Sequence, residues 1–555
     1  MDVRRHYVTV GTRQVHYRRA GMGPPILAFH SSPQTGAFVL PYLKDFAARF
    51  TIIAPDTPGY GGSDPLPQDY PTIEEYADAS VETADALGLT RVIVYGTHTG
   101  AHIALEFARR HPQRVSLCIL DGISFYTDDE QKEMKARYAP PFEPLADGGH
   151  LAWAWQHTRD QMLFYPWFRW EKERRLGNPM RDPAYIHQVV LWKMLPGWGY
   201  RKGYQAAFSH PTLTAARALS VPTLILAQAS DILAPMASRI TGVPPQVEVK
   251  VLPADKAPWL AAMNTVLDRT APGMDTAPPV PAERQTSTGI QHGYVDHGSG
   301  QIFVRRRAGT GRPLLLLHGD MESSALLAPL MAALPAGRPL VALDLPGLGD
   351  SDPLAPGADL AAYRAAVEQV LRRLGIARCD LYARELAAPL ALDLARAQPQ
   401  AVAGVVFDQP VLAAPGERAD PLAHYAPPLA PSWDGAYLMT AWHRLRDRAL
   451  FWPWYRRDRA AVRWLDPALD AAELQLRLVE TLKNPSSQGD YALAALGWTG
   501  EAPAGLRGHM LVSDKDPASA HARTVLEKAG LAVVPRQPAD VAARAALIDR
   551  LLGPA

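Results

Sequence analysis

The chain repeats itself once, and the period of the repeat has the size of a whole domain. Residues 56–66 (DTPGYGGSDPL) match residues 344–354 (DLPGLGDSDPL) at an offset of 288 positions. Aromatic and charged residues within 155–169 match residues within 442–456 at an offset of 287. A near-constant shift through nearly all of the matched span predicts a tandem duplication of one domain, whereas a solenoid repeats about every 20–50 residues.

A segment rich in proline and small residues separates the two copies. Residues 271–289 carry no apolar periodicity, which predicts an exposed and fairly stiff linker. The copies then span residues 1–270 and 290–555. Two domains also agree with the length of 555 residues, because a single hydrophobic core stops growing at about 250–300 residues.

Each copy alternates short apolar runs with amphipathic helical stretches. In the first copy, five apolar runs are typical of buried parallel strands: 26–29, 51–54, 92–95, 116–120 and 223–226. Helical patterns between them imply right-handed crossovers. We therefore predict an α/β fold with two tandem domains, each a doubly wound, mostly parallel sheet.

One long stretch in each copy interrupts this alternation. Residues 128–208 have a helical pattern, are rich in aromatic side chains and arginine, and fall between two predicted strands. Residues 413–496 are the corresponding stretch of the second copy. Placed there, each stretch is predicted to form a helical cap over the carboxyl edge of its sheet.

Composition and charge exclude several classes of protein. The formal net charge is +1, so no basic surface is expected for nucleic acid or an acidic membrane. The two cysteines, Cys118 and Cys379, lie in apolar runs and predict buried free thiols. The N-terminal residues lack a signal-peptide core and no apolar run has the length of a membrane span, which predicts a cytoplasmic protein.

The segment Gly96-Thr97-His98-Thr99-Gly100 lies between a predicted strand and a predicted helix. Its small residues allow a strained, closely packed turn that lifts the central side chain above the sheet. That side chain is His98, which titrates near neutral pH and can act as a general acid or base. The turn therefore predicts a functional imidazole.

This turn and three other segments resemble the α/β-hydrolases of the capped type, the group of epoxide hydrolases, haloalkane dehalogenases and C–C bond hydrolases. The other segments are His30-Ser31-Ser32-Pro33, residues 56–64 and residues 227–235. The resemblance implies a nucleophile elbow at His98 and the acid of a catalytic triad at Asp231, with Asp121 as a second place for that acid. It also implies an oxyanion hole formed by the backbone N–H groups of Ser31 and Thr99.

The chain departs from this family at the reactive positions. His98 replaces the usual nucleophile, and Lys256 stands where the family carries its histidine base. No serine–histidine–acid triad can be assembled at these positions. In the second copy the apex is Glu385, both elbow glycines are absent and only Asp516 matches the acid. We expect that copy to be catalytically silent and to cover the first as a built-in pseudo-dimer partner.

The roles of the remaining candidates stay open at this stage. Asp231 orients His98 or pairs with Lys256, whose charge suits a carboxylate or an oxyanion, although Lys256 also fits a surface lysine. The candidate substrate-binding residues are His30, His102, His157 and Trp167. Three histidines without a carboxylate at ligand spacing are a weak metal signal, and His102 fits buried packing better, so we predict no metal and no cofactor.

The first copy is therefore expected to be a hydrolase that lacks the usual triad. Its aromatic cap predicts a small, mostly apolar or aromatic carbonyl substrate. The expected reaction is hydrolysis of an ester, lactone or C–C bond, with His98 as general acid and base. The alternatives are a cofactor-free lyase or isomerase, and a non-catalytic pseudo-hydrolase that binds a ligand or partner. A homo-oligomer is compatible with all three.

Overall fold

A computed structural model describes residues 2–283, 289–298, 300–513, 516–536 and 540–553. The chain divides into two compact units. Unit 1 comprises Met1–Glu143 and Trp153–Arg284, and unit 2 comprises Pro144–Ala152 and Gln285–Ala555. The main boundary, at residues 284 and 285, falls inside the predicted linker.

Unit 1 is built on an eight-stranded sheet in the order β1-β2-β4-β3-β5-β6-β7-β8. The first two strands form an antiparallel hairpin, β2 pairs antiparallel with β4, and the remaining neighbours are parallel. The strands are β1 (Val3–Val10), β2 (Arg13–Ala20), β3 (Pro25–Phe29), β4 (Thr51–Pro55), β5 (Val92–Thr97), β6 (Val115–Asp121), β7 (Thr223–Gln228) and β8 (Val247–Leu252).

Helices connect these strands, and five of them lie between β6 and β7, of which the first four occupy the stretch predicted as a cap. The α-helices of this half of the chain are α1 (Leu40–Leu43), α2 (Ile73–Ala86), α3 (Thr99–Arg110), α4 (Asp128–Arg137), α5 (Gly149–Leu163), α6 (Pro183–Met194), α7 (Lys202–Ser209), α8 (Thr212–Arg217) and α9 (Lys256–Thr270). The cap helices are α4 to α7.

The central strand β5 shows why these runs fold as a sheet buried on both faces. Val92 and Val94 belong to one buried apolar cluster, and Ile93 and Tyr95 belong to another. Successive side chains of a strand point to opposite faces, so the two clusters cover the two faces of the sheet. This explains why the strand is continuously apolar rather than alternating.

Unit 2 repeats the architecture with an eight-stranded sheet in the order β16-β15-β14-β13-β11-β12-β10-β9. Its strands are β9 (Gln291–His297), β10 (Gly300–Arg307), β11 (Leu314–Leu317), β12 (Leu340–Leu343), β13 (Cys379–Arg384), β14 (Val402–Asp408), β15 (Gly508–Val512) and β16 (Ala532–Pro535). Its helices are α10 (Ala328–Ala333), α11 (Leu360–Arg373), α12 (Ala388–Ala397), α13 (Ala419–His424), α14 (Ala436–Leu450), α15 (Ala471–Leu482), α16 (Asp490–Leu496), α17 (Ala520–Lys528) and α18 (Val541–Leu552).

The predicted fold class is confirmed, and two local expectations need correction. The hairpin β1–β2 and the edge strand β8 were not predicted, because their charged and polar residues obscure the apolar pattern. The linker is not uniformly exposed. Its first residues form a 3-10 turn, Ala271–Gly273, and the Ala277 N–H donates to the Gly23 carbonyl at 2.9 Å.

Two predictions about burial can be compared with this fold. Cys118 and Cys379 are free, buried thiols, as expected. Within the described ranges, no helix combines the length and the apolar character that crossing a bilayer requires.

Candidate active site

His98 lies at the apex of the turn between β5 and α3, in a strained backbone conformation. Its φ is 50° and its ψ is −116°, in a region that L-residues rarely adopt. The flanking glycines are required, because a Cβ on Gly96 would overlap the Gly100 carbonyl and one on Gly100 would overlap the Phe29 carbonyl. Strain of this kind costs about 1–3 kcal/mol and is typically retained where it serves a function.

The His98 imidazole is paired with the carboxylate of Asp231. His98 Nε2 lies 2.8 Å from Asp231 Oδ2, and the side chains are 33% and 21% exposed, respectively. Asp231 lies in the loop that follows β7, where its Oδ1 accepts a hydrogen bond from the Leu233 N–H at 2.7 Å. The structure thus brings together two groups that are 133 residues apart, and the imidazole remains accessible.

The charges of this pair reinforce each other. Burial lowers the pKa of His98, but the Asp231 carboxylate and the more distant Asp121 raise it by more, so that it lies above its usual value. Burial raises the pKa of Asp231, but the His98 charge and the hydrogen bonds from His98 and Leu233 lower it below its usual value. The pair therefore favours imidazolium and carboxylate at mildly acidic pH.

Asp121 ends β6 and lies beside this pair without bonding to the imidazole. Its Oδ2 accepts hydrogen bonds from the Tyr95 hydroxyl at 2.8 Å and from Trp259 Nε1 at 2.9 Å. Burial raises the pKa of Asp121 to about 6, and the two hydrogen bonds oppose that rise. The Asp121 carbonyl also accepts the His98 N–H at 3.2 Å. Asp121 therefore supports the turn, and Asp231 is the partner of the imidazole.

Gly122 was missed by the sequence analysis and lies against the pair. Its φ is +69°, and a Cβ at this position would lie 2.6 Å from Asp231 Oδ2 and 3.0 Å from His98 Cδ2. A glycine directly after the acidic end of a strand was the available signal. Its absent side chain leaves the space in which Asp231 reaches His98.

The proposed oxyanion-hole residues lie on adjoining segments. Thr99 is the first residue of α3, where backbone N–H groups have no partner within the helix. The loop after β3 runs close by, since a Cβ on Gly100 would also meet the His30 carbonyl at 2.8 Å. In that loop the Ser31 hydroxyl bonds to the Gln34 side chain, and the Ser31 carbonyl accepts the Gln34 N–H at 2.9 Å. Ser31 is therefore held by its own loop.

The structure corrects the assignments of His30 and His102 as substrate-binding residues. Both nitrogens of His30 are used by its own loop region, with Nε2 accepting the Thr57 N–H and Nδ1 donating to the Ser31 carbonyl, each at 2.9 Å. Both nitrogens of His102 lie within hydrogen-bond distance of buried groups, Ser124 Oγ at 2.8 Å and His210 Nδ1 at 3.2 Å. Neither ring has a nitrogen left for a ligand.

Lys256 also needs correction, because it does not pair with Asp231. It begins α9, its side chain is 55% exposed, and its Nζ lies 2.5 Å from Asp45 Oδ2. Lys256 lies in the first turn of α9, which follows the edge strand β8, and this position places the lysine on the surface. Of the two alternatives left open by the sequence, the surface lysine is the one that the structure shows.

His157 and Trp167 lie together in the cap. Their rings contact edge to face with centroids 4.5 Å apart, and the Trp167 indole donates to the Tyr138 carbonyl at 2.8 Å. His157 Nδ1 lies 2.6 Å from Nζ of the buried Lys193. Burial and the Lys193 charge lower the pKa of His157 to about 2. Both residues are therefore parts of the internal packing of the cap.

A group of tyrosines that was not among the predicted site residues lies near the charged pair. The Tyr126 and Tyr165 hydroxyls are hydrogen-bonded to each other, and the charge of Asp231 acts on both. Burial raises the pKa of Tyr126 to about 12, although hydrogen bonds from Tyr165 and Ser124 oppose that rise. Tyr138 and Phe208 pack beside them. The aromatic richness of the cap was the signal for this wall.

The equivalent positions of unit 2 are occupied by a buried ion-pair network. Glu385 keeps a positive φ of 48° at the apex, but its carboxylate is bonded by Arg448. Asp516, the match to Asp231, accepts two hydrogen bonds from Arg463, at 3.0 and 2.7 Å. Burial raises the pKa of Glu385, but the surrounding arginines lower it well below its usual value. The apex and the acid are each held by arginine rather than by each other.

These features define a class of protein in which a mostly parallel sheet carries a strained strand-to-helix apex, and an acidic loop follows the next-to-last strand. Comparison with known families agrees, since the profile of the alpha/beta hydrolase fold matches residues 24–255 and 312–440. The chain belongs to the α/β-hydrolase fold family.

Several known proteins resemble parts of the chain. An uncharacterised protein of Mycobacterium tuberculosis is 36% identical over 126 residues, 22% of this chain and 37% of that protein. Haloalkane dehalogenase 2 of the same species is 32% identical over 117 residues, 21% of this chain and 41% of the dehalogenase. The chain thus spans less than half the length of these relatives. The solved structure of the epoxide hydrolase CorEH covers 49% of this chain and 99% of its own at 19% identity, with a TM-score of 0.37.

Proposed function

We propose that unit 1 is an enzyme that hydrolyses a small, mostly apolar or aromatic carbonyl compound, with His98 as general base and acid. The observation that carries this proposal is the 2.8 Å bond between Asp231 and a partly exposed imidazole on a strained apex. Packing alone does not explain the position, because a histidine at positive φ is costly and its ring is one-third accessible.

The hydrogen bond to Asp231 decides which nitrogen reacts. With Nε2–H donating to the carboxylate, the lone pair of neutral His98 lies on Nδ1. Within the described part of the chain, Nδ1 has no hydrogen-bond partner. Nδ1 is therefore the atom that removes a proton from water, while Asp231 stabilises the imidazolium that forms.

Ester hydrolysis is proposed to proceed by direct attack of water. The water oxygen attacks the carbonyl carbon as its proton moves to His98 Nδ1, and the carbonyl electrons move to oxygen. The N–H groups of Ser31 and Thr99 are proposed to stabilise that oxyanion. The imidazolium then returns the proton to the leaving alkoxide, and the carbon–oxygen bond breaks. The products are a carboxylic acid and an alcohol, and no covalent intermediate on the enzyme is required.

A direct test compares variants of the reactive pair on aryl esters, lactones and β-diketones. His98→Ala should lower kcat at least about 10²-fold, the lower range for general acid–base catalysis. His98→Gln, which can still bond Asp231, should be equally slow, because an amide cannot accept the proton. His111→Gln is the matched control, since His111 follows the same helix and also pairs with an aspartate, Asp78. A His98→Ala enzyme as fast as the parent would exclude this mechanism.

A cofactor-free lyase or isomerase is the second candidate. It is favoured by the raised pKa of His98, which makes the imidazolium available as a proton donor, and by the Tyr126–Tyr165 hydroxyls near Asp231. Turnover in ¹⁸O-labelled water distinguishes the two reactions. Hydrolysis places the label in the acid product, and a lyase or isomerase reaction does not.

For unit 2 we propose the absence of hydrolytic chemistry. Its apex carboxylate and its acid are both neutralised by arginines. Neither can therefore act as a base on water without losing a buried ion pair. Glu385→Gln is expected to leave the turnover of unit 1 substrates unchanged.

A further inference from the structure

Unit 2 contains a large cavity at the carboxyl edge of its sheet. The cavity has a volume of about 1480 Å³ and is bounded by α10, by the segment 462–468 and by parts of α15 and α18. A smaller cavity of about 90 Å³ has several lining residues in common with it, including Arg384 and Arg536, and extends to Glu385 at the apex. This space is not used by the chemistry proposed for unit 1.

One part of the large cavity is apolar and exposed. Trp464 is 64% exposed and Leu476 is 39% exposed, and both line the cavity together with Leu326 and Leu330. Ligand pockets are typically concave and mostly apolar, with a few polar groups that fix orientation. Large apolar side chains exposed inside a concave surface therefore point to an apolar group that covers them.

The polar part of the same cavity includes four arginines, one of which, Arg463, is already bonded to Asp516. Arg384 ends β13, Arg536 follows β16 and Arg544 lies near the start of α18. Arg536 Nε donates to Asp408 Oδ1 at 2.8 Å, and Arg544 Nη1 lies 3.8 Å from Asp408 Oδ2. Arg384 has its ion pair elsewhere, at 3.6 Å from Glu322. The three remaining arginines thus line one wall, where they share two carboxylates.

Most hydrogen-bond donors of these arginines are unused within the described ranges. Arg384 donates no side-chain hydrogen bond there, Arg544 Nε is buried without a partner, and Arg536 uses its Nε alone. A guanidinium carries five N–H donors in a fixed fork, and an unpaired donor away from water, as Arg544 Nε is, is costly. The acidic residues on the lining do not fill them, since Glu473 is paired with Arg477 and Asp466 contacts none of the three.

We propose that this cavity binds an organic anion with an apolar body, whose carboxylate is held by Arg384, Arg536 and Arg544. The guanidinium forks match the geometry of a carboxylate, and charge-assisted hydrogen bonds of this kind are the strong ones. The apolar body lies against Trp464 and Leu476. An inorganic anion alone would leave most of a cavity of about 1480 Å³ unfilled. The proposal does not depend on the chemistry of unit 1.

The test is isothermal titration calorimetry on the full chain with three probes. Octanoate carries the charge and the apolar tail, octan-1-ol carries the tail alone and acetate carries the charge alone. We expect octanoate to bind at least about tenfold more tightly than octan-1-ol, and acetate to bind more weakly than either, because the head and the tail contribute separately. Octanoate that binds no better than octan-1-ol would overturn the proposal.

Variants then locate the site. Arg544→Gln and Arg384→Gln should each weaken octanoate about tenfold or more and leave octan-1-ol unchanged. Trp464→Ala should weaken both ligands. Arg372→Gln is the matched control, because this arginine on α11 is 66% exposed and lines neither cavity. His98→Gln should bind octanoate like the parent.

Arg384→Gln and Arg544→Gln differ in their expected effect on folding. Arg384 also pairs with Glu322, so Arg384→Gln removes a structural contact. Arg544→Gln is the decisive variant, since Arg536 and the Tyr382 hydroxyl still hold Asp408. A circular dichroism melt checks each protein before titration. If a folded Arg544→Gln protein binds octanoate as tightly as the parent, the assignment is wrong.

Discussion

Replacing Gly122 with alanine tests whether the geometry of the His98–Asp231 pair matters. A Cβ at this position would lie 2.6 Å from Asp231 Oδ2 and 3.1 Å from its Cγ. Non-bonded atoms have their optimal separation at about 3.5–4.0 Å, so the Asp231 carboxylate has to move by roughly 1 Å. That movement lengthens the bond to His98 beyond hydrogen-bond range.

The expected magnitude has two parts. The first is backbone strain, because alanine at a φ of +69° costs about 1–2 kcal/mol of stability. The second is the displaced partner, since a misplacement of about 1 Å in a reactive constellation costs about 10²-fold in rate. Gly88→Ala isolates the first part. Gly88 has a φ of +70°, and its Cβ would meet Pro278 only at an ordinary 3.6 Å.

The assay combines kcat/KM for an aryl ester, urea unfolding, and an NMR titration of the His98 ring. Both variants should lose about 1–2 kcal/mol of unfolding free energy through backbone strain, and Gly122→Ala should lose about 1 kcal/mol more because its His98–Asp231 bond is broken. Gly122→Ala alone should lose about 10²-fold in kcat/KM, and its His98 pKa should fall toward the ordinary value of 6.5. If the two variants match in rate and in the His98 pKa, the geometric argument is refuted.

Two further predictions concern Asp231 and Lys256. The His98–Asp231 pair should stabilise unit 1 most between about pH 4 and pH 6.5. The pKa of His98 is raised by folding, so its contribution to stability is lost as the pH rises through that pKa. The pKa of Asp231 is lowered by folding, so its contribution is lost as the pH falls through the pKa of Asp231. Because the pair is partly exposed, Asp231→Asn should lower the free energy of unfolding in urea by only about 1 kcal/mol at pH 5.5 and by less at pH 9. An equal loss at both pH values would contradict the assignment. Lys256→Ala should change stability by less than about 0.5 kcal/mol and leave kcat unaltered, since its pair with Asp45 is on the surface; a large loss of turnover would restore Lys256 to the site.

Most of the fold could be predicted from the sequence, because the determining signals are local. The apolar runs of β3 to β7 and the helical stretches between them identify a parallel sheet without any knowledge of contacts. The hairpin of β1 and β2 could not be predicted in the same way. Its strands carry charged residues such as Arg4 and Arg18, and pairing rather than apolar pattern makes them strands.

The candidate site was likewise predictable only where its signals are local. The apex at His98 was predictable, because Gly96 and Gly100 report the close packing of one short turn. The failed assignments of His30, His102 and Lys256 share a cause. Hydrogen-bond partners such as Thr57, His210 and Asp45 are distant in sequence, and no local pattern tells whether a ring nitrogen or an ammonium is already engaged.

By itself, the sequence determined the duplication, the α/β architecture and the presence of an imidazole at the first apex. Repeats, periodicity and glycine spacing are properties of the linear order of residues. Only the tertiary structure decided that Asp231 is the partner of His98, that Gly122 makes room for it, and that arginines occupy the second apex. The physical reason is that hydrogen bonds and ion pairs depend on distances of about 3 Å between groups brought together by folding. Such distances have no counterpart in the linear order of residues.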